Sequence, residues 1–368
     1  MMPFDAAARV IEAAIEARVF PAAVAEVGAN RGVLWRTAFG RLTFDAESAP
    51  TTIDTPFDLA SLTKVMATTS VVGQLMSSGT LRLGEPVSAA FREWRGPDRE
   101  SVTVRDLLEH ASGLPARLVD APPMGRREFE HEICTMPLEY EPRSRAMYSD
   151  LGFILLGFLA EDRGGASLAA QFDALMVRLK SDATHDADAD SRGVRLQPDL
   201  AFELPPDRRR LAAPTLPMDD DPRRGRMLVG EVHDNYAAAL SGVAGHAGLF
   251  GSAAAVGRFG RAALRAARGR DEPSPFSAAL VATMTTKSVV PGSSRALGWD
   301  TMLPTSSCGT RMSPAAFGHV GFTGTSLWID PARDRYYVLL TNRACGGGSV
   351  DAMRDVRRAF HDALADAE

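Results

Sequence analysis

Lysine is nearly missing from this chain of 368 residues. Of its 41 Lys and Arg residues only Lys64, Lys180 and Lys287 are lysine, which leaves 38 arginines. Cationic surface is therefore built from a side chain that keeps its proton. A lysine in such company is explained by what arginine cannot do, which is to lose one. Cysteine is also scarce. Cys134, Cys308 and Cys345 are odd in number and lack CxxC spacing, which argues against a disulfide framework and a cysteine-built metal site. No apolar run approaches the ~20 residues needed to span a bilayer; LGFILLGFLA, the longest clear one, has ten. The N-terminal stretch MMPFDAAARVIEAAIEARVF has no basic flank ahead of an apolar core, so it does not read as a signal peptide. The expectation is a cytoplasmic protein, or a periplasmic one if the true start lies upstream. Excess positive charge is missing too: the net charge is -5 at pH 7, which offers no field for nucleic acid. Arg208, Arg209 and Arg210 sit among prolines and read as a solvated loop, not a phosphate patch.

With 45% hydrophobic and 24% charged residues, the chain can bury a large core and is expected to form two lobes. Residues 5–18 have helical apolar spacing. AAVAEVG and GVLWRTAFG follow, separated by a turn containing Asn30 and Gly32, which reads as a hairpin; a third short run lies near Phe57. Helical patterns cover 61–78, 103–110 and 151–160. Near the C-terminus GHVGFT, SLWIDP and RYYVLLTN read as strands, closed by the helix VDAMRDVRRAFHDAL. The simplest packing is α/β (α+β): residues 1–58 and 246–368 join into one antiparallel sheet flanked by helices, and 59–245 form an all-helical lobe. Residues 181–228 are rich in Pro, Asp and Arg, and VRLKSDAT is echoed there by VRLQPDLA. This reads as a loop-rich surface insertion, whose length costs little, with a lid as the alternative.

The chemistry concentrates in FDLASLTKVMATTSVVGQLM, residues 57–76. On a helix, Ser61 and Lys64 lie one turn apart on one face. A serine in the first turn meets outward-facing backbone N–H groups, ready donors for an oxyanion. Lys64, among Leu62, Val65 and Met66, is expected to be partly desolvated, which lowers an amine pKa and would make a neutral base for Ser61. Taken alone, Ser-x-x-Lys is better explained by a capping serine and a solvated lysine, and the catalytic reading needs partners. Two further segments are candidates for partners. In RAMYSDLGFILLG, Tyr148, Ser149 and Asp150 stand just before the most apolar helix, where Asp150 is a good N-cap. In FGHVGFTGTSLWIDP a strand carries His319, Val320 and Gly321, and Gly321 beside Phe322 suggests close backbone approach by a ligand or a neighbouring element.

In that order, these three segments resemble the serine beta-lactamase and penicillin-binding-protein superfamily. They are most similar to class C beta-lactamases, related D-alanyl-D-alanine carboxypeptidases and family VIII carboxylesterases. RDLLEHASGLP, GVAGHAGLFGSAAAVGRF and LLTNR support the likeness, which runs from about 20 to 360 outside 181–228. The resemblance implies the beta-lactamase/transpeptidase-like fold with its cleft between the lobes. It implies Ser61 as nucleophile of an acyl-enzyme, with Lys64 and Tyr148 sharing the proton work. The oxyanion hole would be the backbone N–H groups of Ser61 and Phe322. No cofactor or metal is needed.

The chain also departs from the family pattern. Asp150 stands in the triplet where an asparagine is usual, and its carboxylate favours the ammonium of Lys64. An ammonium in turn favours a phenolate, so Tyr148 is the expected base and Lys64 its electrostatic partner. His319-Val320-Gly321 replaces Lys-Thr-Gly. Val320 has no hydroxyl and His319 carries less fixed charge, so recognition of a substrate carboxylate is weakened; a shifted register using Phe322-Thr323-Gly324 would restore a hydroxyl. Arg343 could compensate as an anion binder, and is equally well read as a surface arginine at a strand end. His233, Asp234 and His246 could be read as a zinc set, against a simpler role bracing cleft loops. The expected function is a serine hydrolase of esterase type, acting on a small-molecule ester, amide or peptide. The alternatives are a D-alanyl-D-alanine carboxypeptidase or weak beta-lactamase, and a catalytically inactive penicillin-binding-like module. Intact Ser61, Lys64 and Tyr148 argue against the last.

Overall fold

Helix α1 (Asp5–Glu16) leads into strands β1 (Ala22–Ala29) and β2 (Gly32–Gly40), the hairpin predicted by its turn residues. The structure is a computed structural model and describes residues 4–118, 121–182, 200–270 and 276–365. A short strand β3 (Phe57–Asp58) precedes a π-helical turn, Lys64–Thr68, which continues as α2 (Thr69–Ser77). Then come α3 (Val104–Leu108), α4 (Arg126–Thr135), α5 (Asp150–Gly164) and α6 (Leu168–Asp182). Short elements β4 (Leu200–Ala201), α7 (Pro206–Arg209), α8 (Asn235–Ala239) and β5 (Phe250–Gly251) lead to α9 (Ala253–Ala267) and α10 (Ala278–Thr285). Strands β6 (Asp300–Thr301), β7 (Phe317–Val320), β8 (Ser326–Asp330) and β9 (Arg335–Thr341) precede the last helix, α11 (Val350–Ala365).

The main sheet has the order β2-β1-β9-β8-β7-β6, with every pair antiparallel. Because β9 pairs with β1, both ends of the chain meet in one sheet. Successive side chains of a strand face opposite ways, and the two faces bury different sets. Tyr336, Val338 and Leu340 of β9 join one apolar cluster, while Tyr337 and Leu339 join a second with Ile11 of α1 and Phe360 of α11. Helix α9 covers the first face. It comes close because it carries glycine there: a Cβ on Gly257 would sit 1.8 Å from Glu26 Oε1. Leu327 and Val338 share their cluster with Leu107, Leu155 and Phe172, so apolar packing continues from the sheet into the helical middle.

The run near Phe57 belongs to a separate three-stranded sheet, β3-β5-β4. Residues 183–199, which hold the end of VRLKSDAT and most of VRLQPDLA, lie outside the described residues. The described remainder of the predicted insertion is packed, not merely looped out. Leu204 and Ala212 join Val232, Ala237 and Phe250 in a small cluster, and Ala213 N–H donates to Pro56 O at 2.8 Å. Arg208 and Arg209 fall in the short helix α7, where a loop was expected.

Helix α5 meets the 242–248 loop at Gly245, where a Cβ would lie 1.9 Å from Phe153 O and 2.9 Å from Gly157 N. Gly245→Ala should therefore cost about 1–3 kcal/mol through overpacking. Denaturant unfolding would register this as a lowered midpoint; an unchanged midpoint would mean the contact is not held in solution.

Candidate active site

Strand β3 ends at Asp58, and the chain turns through Leu59 and Ala60 to Ser61. Ala60 takes φ +48°, a left-handed conformation unusual for a residue with a Cβ. Asp58 holds the turn: Oδ1 accepts from Ala60 N at 2.8 Å and Oδ2 from His233 N at 2.6 Å. Burial pushes the Asp58 carboxyl up to about 6, against the pull of those two amides. Ser61 thus sits on the turn before the helix, not in its first turn as the spacing predicts. Lys64 N–H still bonds Ser61 O at 3.1 Å, and the Ser61 N–H itself has no acceptor among the described residues.

Ser61 Oγ is contacted from two sides. Tyr148 OH donates to it at 2.7 Å and Lys64 Nζ at 3.1 Å. Lys64 is fully buried rather than partly desolvated, and its other two bonds go to Asp150 Oδ1 at 2.8 Å and His246 O at 3.0 Å. Three donors and three acceptors describe an ammonium. Burial works to lower the Lys64 pKa, but Asp150 and then Tyr148 outweigh it and raise it. This overturns the neutral-amine reading and supports the ammonium that Asp150 led us to expect. Burial raises the Tyr148 pKa and Lys64 only partly offsets it, so the phenol keeps its proton at rest. The Tyr148 ring is flanked by Lys64 Nζ at 4.8 Å, by the Arg295 guanidinium at 5.2 Å and by the His110 ring at 4.8 Å.

Asp150 is not the N-cap of α5. Ser149 fills that place, its Oγ accepting from Gly152 N at 3.4 Å. Asp150 is the first helical residue, which leaves its carboxylate free to face Lys64 and Arg117. Arg117 Nη1 donates to Asp150 Oδ2 and to Asp234 Oδ2, both at 2.9 Å, and its Nη2 to Asn235 Oδ1 at 2.7 Å. His246 Nε2 lies 2.8 Å from Asp234 Oδ1. The result is a chain of alternating charge, from Lys64 through Asp150 and Arg117 to Asp234. Burial opposes ionisation of both carboxyls, yet Lys64, His246 and Arg117 hold them below the usual range. No local sequence signal points to Arg117, whose partners lie 33 to 118 residues away, or to the bond between Asp58 and His233 N, 175 residues on.

The zinc set separates. The His233 ring stacks on Phe322 with centroids 5.4 Å apart, away from Asp234 and His246. Asp150, Asp234 and His246 do converge, with ligand atoms within 4.8 Å. Both carboxylates are already bonded to the cations Lys64 and Arg117, so the donor set does not fit a dication.

The third segment lies directly against the nucleophile's turn. A Cβ on Gly321 would meet Leu59 O at 2.6 Å and Ala60 Cβ at 3.1 Å, so the expected close approach is to a neighbouring element. Thr323 Oγ1 donates to Asp58 O at 2.7 Å and Thr325 Oγ1 to Leu59 O at 2.9 Å. The Thr323 hydroxyl is therefore spent on the scaffold, which removes the shifted register. His319 is buried, with Nδ1 2.8 Å from Val320 O and its ring 5.9 Å from Tyr148. Burial, then Arg295 and Lys64, hold its pKa well below the usual range, so it supplies no charge. Arg343 is not free to bind an anion: Nε and Nη2 donate to Phe322 O, and Nη1 to Gly348 O. The Phe322 side chain is half exposed, and its N–H has no acceptor among the described residues.

Known proteins resemble this chain in sequence and in fold. The chain is 30% identical over 315 residues to a protein of Escherichia coli (strain K12) provisionally named D-alanyl-D-alanine carboxypeptidase, covering 79% of this chain and 70% of that one. Its fold is similar to that of EstCE1, a hydrolase with promiscuous acyltransferase activity, with TM-score 0.72, 20% identity and 98% of each chain covered. It is equally similar to a class C beta-lactamase from Rhodobacter sphaeroides, with TM-score 0.72, 20% identity and 98% of each chain covered. The profile of the Beta-lactamase family matches residues 7–361, and this chain belongs to that family of serine hydrolases.

Proposed function

We propose that this protein is a serine hydrolase that works through an acyl-enzyme on Ser61 and prefers ester-type acyl donors. The observation that carries the reading is the pair of bonds on Ser61 Oγ, from Tyr148 OH at 2.7 Å and Lys64 Nζ at 3.1 Å. Once Tyr148 has ionised to the phenolate beside the Lys64 ammonium, Oγ attacks the acyl carbonyl and its proton passes to the Tyr148 oxygen. The carbonyl oxygen takes up the negative charge between the Ser61 and Phe322 N–H groups. Collapse expels the leaving group, which takes the proton from Tyr148 and leaves the acyl ester on Ser61. Water then enters and gives a proton to Tyr148 as its oxygen attacks the acyl carbon; collapse breaks the acyl–Oγ bond, Tyr148 returns the proton to Oγ, and the acid leaves.

The preference for esters rests on the third segment. A neutral, buried His319 and the hydroxyl-free Val320 provide no anchor for a substrate carboxylate. A second reading, a D-alanyl-D-alanine carboxypeptidase, is favoured by the Escherichia coli relative. Wild-type protein and Ser61→Ala should be compared on short-chain nitrophenyl esters, a chromogenic cephalosporin and a D-Ala-D-Ala peptide. Ester turnover that vanishes in the variant is expected. Release of D-Ala as the fastest reaction would select the second reading, and no turnover of any substrate would contradict both.

Tyr148→Phe should lower kcat by about 10²–10⁴-fold, the usual contribution of an acid–base group. His319→Ala should cost far less, and equal losses would refute the assignment of the base. The pH dependence has a definite sign. Tyr148 must lose its proton to act as base while Asp150 holds Lys64 as the ammonium. Its raised pKa places the activating ionisation on the alkaline side, so kcat/KM should rise with pH above neutrality. Asp150 raises both the Lys64 and Tyr148 pKa values, so Asp150→Asn should move that limb to lower pH. A limb that stays put would remove Asp150 from control of the site.

A further inference from the structure

Arg357 of α11 is a buried cation that has no counter-ion among the described residues. It is 5% exposed, and no carboxylate pairs with it among the described residues; burial and the neighbouring Arg343 lower its pKa to about 9. Enclosing an unpaired charge is costly, and the mechanism above makes no use of it. Its hydrogen bonds indicate what it does. Nη2 donates to Gly321 O at 2.6 Å and to Thr325 O at 3.0 Å. Both carbonyls belong to the loop after β7, which is stitched to the nucleophile's turn by Thr323 and Thr325. A second arginine, Arg343, grips the next carbonyl, Phe322 O, at 2.7 Å.

In a trans peptide the C=O and N–H point in opposite directions. A guanidinium that pulls Gly321 O toward α11 therefore turns the Phe322 N–H away from α11. That N–H is the one left without an acceptor. A cation on the carbonyl also polarises the peptide, which makes its N–H a stronger donor. We propose that Arg357 is a positioning residue for the oxyanion hole, fixing and polarising the Gly321–Phe322 peptide from behind the sheet so that its N–H stabilises the transition state at Ser61. The inference rests on the acyl-enzyme reading but fails separately from it. Turnover surviving in Ser61→Ala sinks that reading, whereas Arg357 is tested on enzyme whose Ser61-dependent ester hydrolysis is intact.

The test compares Arg357→Met with wild type on a nitrophenyl ester, at equal concentration of folded protein measured by near-UV circular dichroism. The expected result is a fall in kcat of about 10²-fold, the scale of losing an oxyanion donor, with KM little changed. Affinity for phenylboronic acid, which forms a tetrahedral anion on the serine, should fall with kcat. A lowered melting temperature with kcat per folded molecule unchanged would overturn the proposal and leave Arg357 as a packing residue. Should Arg357→Met fail to fold, Arg357→Lys and Arg357→Gln carry the test. The lysine, which keeps the charge, should retain at least about tenfold more kcat than the glutamine at similar KM. Equal kcat in the two would contradict the inference.

Discussion

The ion pair between Lys64 and Asp150 governs the rest of the site. A fully buried ammonium is tolerated only with its donors and charge satisfied, and Lys64 meets both needs through Asp150, His246 O and Ser61 Oγ. The requirement propagates outward. Asp150 must stay ionised, so it also takes Arg117; Arg117 draws in Asp234, and Asp234 caps α8 and takes His246. Segments from five distant parts of the chain are thereby held around one serine hydroxyl. The near-absence of lysine elsewhere fits this picture: at position 64 a compact point charge is enclosed that the planar arginine fork would not replace.

Carboxylate placement distinguishes this site from one with an uncharged residue after Tyr-Ser. Asp150 fixes the ammonium, and the ammonium lies against the Tyr148 ring and beside its hydroxyl. In the proposed mechanism the burden of base chemistry falls on the tyrosine, whose proton is held more firmly because burial disfavours the phenolate. Two other arginines, Arg343 and Arg357, bond carbonyls of the loop beside the nucleophile's turn instead of anions. Cationic side chains around this cleft thus act mostly on the protein's own carboxylates and carbonyls, which accords with a substrate that is not recognised through a carboxylate.

Much of this was legible in the sequence, for reasons that differ by residue. Ser61, Lys64 and Tyr148 were found because they recur in order with recognisable flanks, and the structure brings them within hydrogen-bonding distance. The hairpin and the strand-forming ends were visible as period-2 runs bounded by turn residues, and the sheet that joins them follows from burying both faces. The ionisation of Lys64 was legible from a single substitution, Asp150. What failed did so locally. Asp150 looked like a cap because Asp is a good cap, but Ser149 one residue earlier won the position. The helix start was misjudged because Asp58 holds Ala60 in a left-handed turn that no propensity announces. Arg117 and Arg357 carried no signal at all, since their meaning lies in partners dozens of residues away.

The account stands on covalent chemistry at one oxygen. Rapid quenching of the protein during turnover of a nitrophenyl ester, followed by intact and peptide mass measurement, would read that chemistry. One acyl group per chain, located on the peptide that contains Ser61, is the predicted result. Ester turnover with the acyl group on another residue, or with no adduct even for an ester chosen for slow deacylation, would contradict it.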